Sequence, residues 1–176
     1  IYEEETRVGA CIAPTGLKGI DEILRGGLWS GQLGYILAPT KRGKTHVSVF
    51  FGAATLRAGI PVVHVTLENG TMFTFRRYGR AITGMSTEEI VSAPGMFNER
   101  LRQRVNLDNL YLKEYPAGSV GVPTIEIDVK TALDQWQRKC LLIVDYGSLL
   151  SGSKSGANHA DIADIRRHPL PAQRRP

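Results

Sequence analysis

The sequence predicts an α/β fold in which helices flank a mainly parallel central sheet. Short apolar runs alternate with longer segments whose apolar residues recur at helical spacing. The run VVHVTL is almost wholly apolar or β-branched, which is typical of a strand covered on both faces in a parallel sheet. The predicted strands are residues 33–37, 62–67, 110–115 and 141–144.

The first predicted strand, LGYIL at 33–37, leads into a tight loop and then into a helix. The loop covers residues 38–43, and the helix begins at Lys44. Gly59 ends this helix, and Pro61 prevents its continuation. The apolar positions at helical spacing in it are Val47, Phe50, Phe51, Ala54, and Leu56 or Ala58.

A strand, a small-residue loop and Gly-Lys-Thr at the start of a helix together form a phosphate cradle. The loop directs backbone N–H groups inward, and the helix N-terminus adds unpaired donors and a partial positive charge. Lys44 is predicted to reach the β- and γ-phosphates, and the hydroxyl of Thr45 to ligate Mg²⁺. The residues predicted to bind the nucleotide are Ala38, Pro39, Thr40, Lys41, Arg42, Gly43, Lys44 and Thr45.

The loop departs from the usual pattern G-x-x-x-x-G-K-[ST] because Ala38 stands in place of the first glycine. Taken alone, an imperfect Gly-Lys-Thr could equally be an ordinary turn before a helix. The apolar strand before it and the amphipathic helix after it favour nucleotide binding, since that context is what the motif requires.

Glu68 directly follows the second predicted strand, 62–67. Ligands of open parallel sheets bind at the C-terminal ends of the strands, so Glu68 is expected on the same rim as the phosphate loop. A carboxylate there can act as general base toward the water that attacks the γ-phosphate. The alternative is a salt bridge at the rim. His64, between Val63 and Val65, is interpreted as a packed strand residue.

Residues 71–82 form a predicted helix that carries a basic cluster at 76–80. This cluster, Arg-Arg-Tyr-Gly-Arg, could contact nucleic-acid phosphates or a neighbouring subunit, or it could form a solvated helix face. Ser86 and Glu89 have the spacing of a capping box that begins a short helix. After the third strand, Pro123 begins an amphipathic helix.

The fourth predicted strand, LLIV at 141–144, ends in Asp145. A carboxylate after an apolar strand suits a Mg²⁺-nucleotide site, where Asp145 would hold the metal opposite Thr45. The alternative is a carboxylate that caps the next loop. The phosphate loop favours the metal role, because both groups are predicted at one edge of the sheet.

The 176 residues suffice for one domain, divided into an N-terminal lead-in at 1–14, a core at 15–150 and a flexible or partly helical basic tail at 151–176. The net charge of +5 permits nucleic-acid contact without demonstrating it. No apolar run approaches the ~18 residues of a membrane span, so no membrane partner is expected. Cys11 and Cys140 lie far apart, as expected of unpaired thiols in a reducing cytosol.

Residues 26–69 resemble the RecA-like motor domain of DnaB-type replicative DNA helicases, including the phage proteins, and of the related circadian-clock and recombinase ATPases. In this family an Ala-Pro or Ala-Arg pair often begins the phosphate loop, which matches Ala38 and Pro39. The strand at 111–116 also looks like that of a phage-type member. The resemblance covers roughly residues 14–150 and implies a RecA-like P-loop fold.

The resemblance also implies roles for the acidic residues. The second strand of the family ends in Leu-Glu, and its catalytic Glu matches Glu68. The Walker B segment reads like Ile-Val-Asp-Tyr followed by small and apolar residues, as at 143–150. The family pattern therefore assigns Asp145 to Mg²⁺, and Lys44 and Thr45 to phosphate and metal.

By this resemblance the chain would be an ATP-dependent helicase that uses Mg²⁺, translocates on single-stranded DNA as a homo-oligomeric ring, and acts in the cytoplasm of a bacterium or a phage-infected host. Two alternatives are a regulatory or recombination ATPase of the circadian-clock or recombinase type, and a catalytically silent ATP-binding fragment. The sensor strand, DNA-gripping loops and arginine finger of the family are not recognisable after Leu150. We therefore expect a truncated or divergent member. Because an arginine finger contributes ~10³ to 10⁵ in rate, we expect this chain alone to be slow or inactive.

Overall fold

The computed structural model describes residues 12–39 and 41–151. Thr40, most of the predicted lead-in and the predicted tail from 152 onward lie outside the described residues. The division of the chain at 14 and 150 remains a prediction.

The described part of the chain forms strands and helices that alternate along the sequence. Short 3₁₀ turns precede the fourth strand, at Leu107–Asn109, and follow the last one, at Gly147–Leu149. The elements are β1 (Ile12–Ala13), α1 (Lys18–Ile23), β2 (Leu28–Trp29), α2 (Lys44–Arg57), β3 (Val62–Thr66), α3 (Thr71–Thr83), α4 (Thr87–Ser92), α5 (Pro94–Arg104), β4 (Leu110–Glu114), α6 (Val122–Trp136) and β5 (Leu141–Asp145).

The central sheet is parallel, as the sequence predicts. β3 lies between β4 and β5, and both neighbours run parallel to it. In this register Thr66 lies opposite both Glu114 and Asp145, so the C-terminal ends of the three strands meet at one edge. β1 and β2 pair antiparallel in a separate two-stranded sheet.

Helices cover both faces of the parallel sheet, which buries β3 along its whole length. On one face α2, α3 and α5 pack on Val62, and on the other α6 packs on Val63 and Val65. The split follows from the strand period, because successive side chains point to opposite faces. The helix residues buried on the first face include Val49, Leu56, Tyr78, Ile82 and Leu101, and on the second Ile125, Val129 and Ala132.

The predicted strand at 33–37 is wrong. Residues 32–39 have no regular secondary structure, and neither sheet in the described part of the chain includes them. Leu37 is 88% exposed, and Tyr35 and Ile36 are also exposed. The physical reason is that an apolar run becomes a strand only where a neighbouring strand supplies ladder hydrogen bonds. The loop and the helix after this segment nevertheless begin where predicted.

The helix α2 begins at Lys44 as predicted, but it buries a different face. Val49, Ala53 and Leu56 are almost fully buried, whereas the predicted apolar positions Val47 and Phe50 are only half-buried. Small residues line the buried face because α3 approaches it closely. A Cβ atom added at Gly52 would overlap the hydroxyl of Tyr78.

Two local predictions are confirmed by hydrogen bonds and helix bounds. The hydroxyl of Ser86 accepts from the backbone N–H of Glu89 at 3.2 Å, and the Ser86 N–H donates to the Glu89 carboxylate at 2.7 Å. This capping box begins α4. Pro123 lies in the first turn of α6. Within the described ranges, every helix is too short or too polar to cross a lipid bilayer.

Candidate functional site

The loop before α2 turns sharply at Gly43, where φ is 87° and the backbone is left-handed. A side chain there would strain the backbone, so the glycine of Gly-Lys-Thr is required by conformation. The Gly43 carbonyl accepts the N–H of Val47 at 3.0 Å, which makes Gly43 the residue from which α2 starts. Lys41, exposed in the same loop, also has a positive φ of 60°.

The side chain of Lys44 folds back over this loop. Its Nζ donates to the carbonyl oxygen of Ala38 at 2.8 Å and to that of Pro39 at 3.1 Å. The same ammonium lies 5.6 Å from the ring centroid of Tyr146, which follows β5. Lys44 therefore connects the loop with the end of β5, two segments that are distant in the sequence.

Asp145 ends β5 and is 3% exposed. Burial raises the pKa of its carboxyl, the hydroxyl of Thr45 lowers that pKa by donating a hydrogen bond, and the charge of Glu68 raises it again. The positive charges of Arg77 and Lys44 also lower it. The three sequence segments that were predicted to meet at one edge of the sheet therefore do meet there.

The donor set at this edge fits a magnesium ion. The Oδ2 atom of Asp145 is buried and has no hydrogen-bond partner among the described residues. A hydroxyl and a carboxylate are hard oxygen ligands, and Mg²⁺ is usually held by one or two carboxylates together with substrate phosphates. No group of at least three His, Cys, Asp or Glu that could hold a metal alone occurs in the described part of the chain. The arrangement suits a metal held jointly by protein and phosphate.

Glu68 lies just beyond β3 with an exposed side chain. The backbone anchors it, because the N–H of Leu67 donates to the Asp145 carbonyl at 2.9 Å. Among the described residues Glu68 takes part in no ion pair, so the alternative of a rim salt bridge has no support there. Its carboxylate is close enough to Asp145 to raise the pKa of that residue.

The basic cluster at 76–80 divides between two environments. Arg76 and Arg80 are exposed, as a solvated helix face requires. Tyr78 is buried, and Arg77 is half-buried with a sealed Nη1 atom. Sequence analysis treated the cluster as one surface and therefore missed Arg77. The helical period supplies a signal, because Arg77 lies one turn after the buried Thr74.

Two further residues at the edge were not singled out from the sequence. Glu114 ends β4, and its Oε2 accepts the N–H of Thr71 at 2.7 Å, which caps the N-terminus of α3. Tyr146 lies beside the ammonium of Lys44. Both follow or end apolar strands, which is the same signal that identified Glu68 and Asp145.

His64 is a packed strand residue, as its alternation with valines indicated. Its side chain is fully buried, and its Nδ1 lies 2.8 Å from the hydroxyl of Tyr78. Burial lowers the pKa of His64 from 6.5 to about 4 and raises the pKa of the tyrosine. The two rings meet edge to face, with centroids 5.6 Å apart. This pair fixes α3 against β3.

The fold is that of RecA-like helicase ATPase domains, α/β with a parallel sheet flanked by helices. One similar solved structure is that of a DnaB-like replicative helicase and its interactions with primase, with a TM-score of 0.73 and 16% identity over 94% of this chain and 43% of that one. Another is the ATPase domain of a second protein, with a TM-score of 0.71 and 17% identity over 94% of this chain and 64% of that one.

These likenesses confirm, at the level of the fold, the resemblance to a DnaB-type RecA-like domain. The chain spans less than two thirds of the length of either structure. No protein-family model matches the sequence, and no curated protein matches it significantly. The roles of individual residues therefore depend on the geometry of the site.

Proposed function

We propose that this chain is the Mg-ATP-binding ATPase domain of a DnaB-like replicative helicase. The observation that carries the proposal is the meeting of Lys44, Thr45 and Asp145 at the C-terminal edge of a parallel sheet, with Glu68 beside them. A phosphate loop, an ordered carboxylate and a second, exposed carboxylate are the groups that phosphoryl transfer requires. The fold of the two similar structures supports the same assignment.

Each residue has a separate task in this proposal. The backbone of the loop at 38–43 and the start of α2 would bind the phosphates, and Lys44 would exchange its carbonyl acceptors for phosphate oxygens. Thr45 and Asp145 would hold Mg²⁺, which supplies charge neutralisation on the phosphates. Glu68 would orient the attacking water and accept its proton. Its exposure leaves it free to reach a water above the loop.

The partners are part of the proposal. A DnaB-like helicase among the similar structures supports translocation on single-stranded DNA by a ring of identical subunits. The net charge of +5 is compatible with binding to phosphates. Turnover stimulated by single-stranded DNA, together with displacement of a paired strand, would distinguish this activity from a regulatory or recombination ATPase. ATP affinity without turnover under all conditions would indicate a silent ATP-binding module.

The first test is Lys44→Ala. We expect this variant to lose measurable binding of a fluorescent ATP analogue, because the ammonium is the group that meets the β- and γ-phosphates. Lys18→Ala is the matched control, since Lys18 is exposed on α1 and carries the same charge. Unchanged affinity in Lys44→Ala would remove the site assignment. Circular dichroism of both variants checks that the fold is retained.

A further inference from the structure

Arg77 has no role in the function proposed above, yet its side chain enters the protein. The residue is half-buried, and its Nη1 atom is sealed from solvent with no hydrogen-bond partner among the described residues. A buried charged donor without an acceptor is unfavourable, since hydrogen bonds to charged groups contribute about 1.5–3 kcal/mol. Such an atom therefore calls for a functional explanation.

The position of Arg77 is fixed by its neighbours on α3. Thr74 and Tyr78, on the same side of the helix, are 0% and 1% exposed. The Tyr78 hydroxyl lies 2.8 Å from His64 in the central strand, and it packs against Gly52 of α2. Since Tyr78 is held from both sides, α3 cannot rotate to move the adjacent Arg77 into solvent.

The group that Arg77 acts on is Asp145. The Oδ2 atom of Asp145 is the other charged atom in the described part of the chain that is buried without a hydrogen-bond partner. The positive charge of Arg77 lowers the pKa of Asp145, against the larger effect of burial. Two unpartnered atoms of opposite charge therefore face a common interior beside the phosphate loop.

We propose that Arg77 is a positioning residue, which holds the carboxylate of Asp145 in the orientation from which that carboxylate ligates Mg²⁺. The inference rests on the proposed function and deepens it. Arg77 acts through Asp145 and touches neither the nucleotide nor the metal. Arg76, next to it in the sequence, has the same charge but lies on the exposed side of α3. The two residues therefore form a matched pair for experiment.

The first experiment titrates Mg²⁺ against the full chain with a fluorescent ATP analogue. In Arg77→Met we expect the half-saturating Mg²⁺ concentration to rise about 10-fold, the size of effect that residues supporting a metal ligand have. Affinity for the analogue without Mg²⁺ should stay unchanged. Arg76→Met should titrate like the parent chain, and Arg77→Lys should fall between them. A parental titration in Arg77→Met would overturn the proposal, as would an equal loss of affinity without Mg²⁺.

The second experiment needs no nucleotide, so it separates this inference from the proposed function. Melting temperatures are measured for Arg77→Met, Asp145→Asn and the double variant. If the two charges support each other, the double variant loses less than the sum of the two single losses. Additive losses would overturn the inference even if the chain binds ATP. Arg77→Lys combined with Asp145→Asn gives the same test if Arg77→Met does not fold.

Discussion

At the scale of single residues, Glu68 is the side chain on which turnover should depend. Its carboxylate is exposed and unpaired by any basic group in the described residues, yet it lies near Asp145. This combination suits a general base, which must reach water and remain ionised. A residue that only stabilised the rim would be expected to hold a cation.

We expect Glu68→Gln to bind ATP like the parent chain and to lose about 10²- to 10⁴-fold in turnover, because the amide cannot accept the proton. Steady-state phosphate release and analogue binding measure the two quantities. Glu99→Gln is the control, since Glu99 is an exposed carboxylate on α5. Unchanged turnover in Glu68→Gln would assign Glu68 to structure.

His64 should make stability depend on pH. Burial lowers its pKa from 6.5 to about 4 in the folded chain. Between these values the unfolded chain binds a proton that the folded chain excludes, so the free energy of unfolding falls as the pH is lowered through this window. The loss reaches at most about 3 kcal/mol and levels off below the folded pKa. The raised pKa of Asp145 acts in the opposite direction.

Urea denaturation from about pH 4.5 to about pH 7.5 measures this dependence. His64→Phe should flatten the slope below the unfolded pKa, whatever its effect on absolute stability, because the phenyl ring binds no proton. His46→Gln should leave the slope intact, since His46 is exposed on α2. If His64→Phe keeps the full slope, the pH dependence arises elsewhere.

At the scale of elements, the close contact between α2 and α3 sets the shape of the site. Gly52 on α2 leaves room for the Tyr78 hydroxyl, which in turn bonds His64 of β3. One small residue thus allows two helices and the central strand to meet. The contact also holds Arg77 toward the end of β5, where Asp145 lies.

We expect Gly52→Ala to lower the free energy of unfolding by about 1–3 kcal/mol, because the new methyl group would overlap the hydroxyl of Tyr78. Thermal or urea denaturation measures the change. Gly19→Ala in α1 is the matched control, since no described atom lies within 4 Å of its added Cβ. That change should be neutral or stabilising, because alanine favours a helix by about 1 kcal/mol over glycine.

At the scale of the whole molecule, the proposed ring predicts that activity depends on assembly. An arginine finger from a neighbouring subunit contributes ~10³ to 10⁵ in rate. The ATPase rate per chain should therefore rise with protein concentration, in step with the mass measured by light scattering. Concentrations below assembly are the internal control. A rate per chain that stays constant while the mass increases would contradict sites shared between subunits.

The parallel sheet and the converging site were predictable from the sequence. Strands and helices follow from patterns within a few residues, and the C-terminal ends of parallel strands always meet at one edge. This rule placed Glu68 and Asp145 beside Lys44 before the structure was known. It failed for residues 33–37, because an apolar run alone does not reveal whether a strand lies beside it.

The sequence by itself determined the element types, the sharp turn at Gly43 and the carboxylates that end the strands. Only the tertiary structure decided which arginine of the basic cluster turns inward, and that Gly52, Tyr78 and His64 meet. The physical reason is that local conformation depends on neighbours along the chain. The rotation of a helix about its axis depends instead on packing partners far away in the sequence.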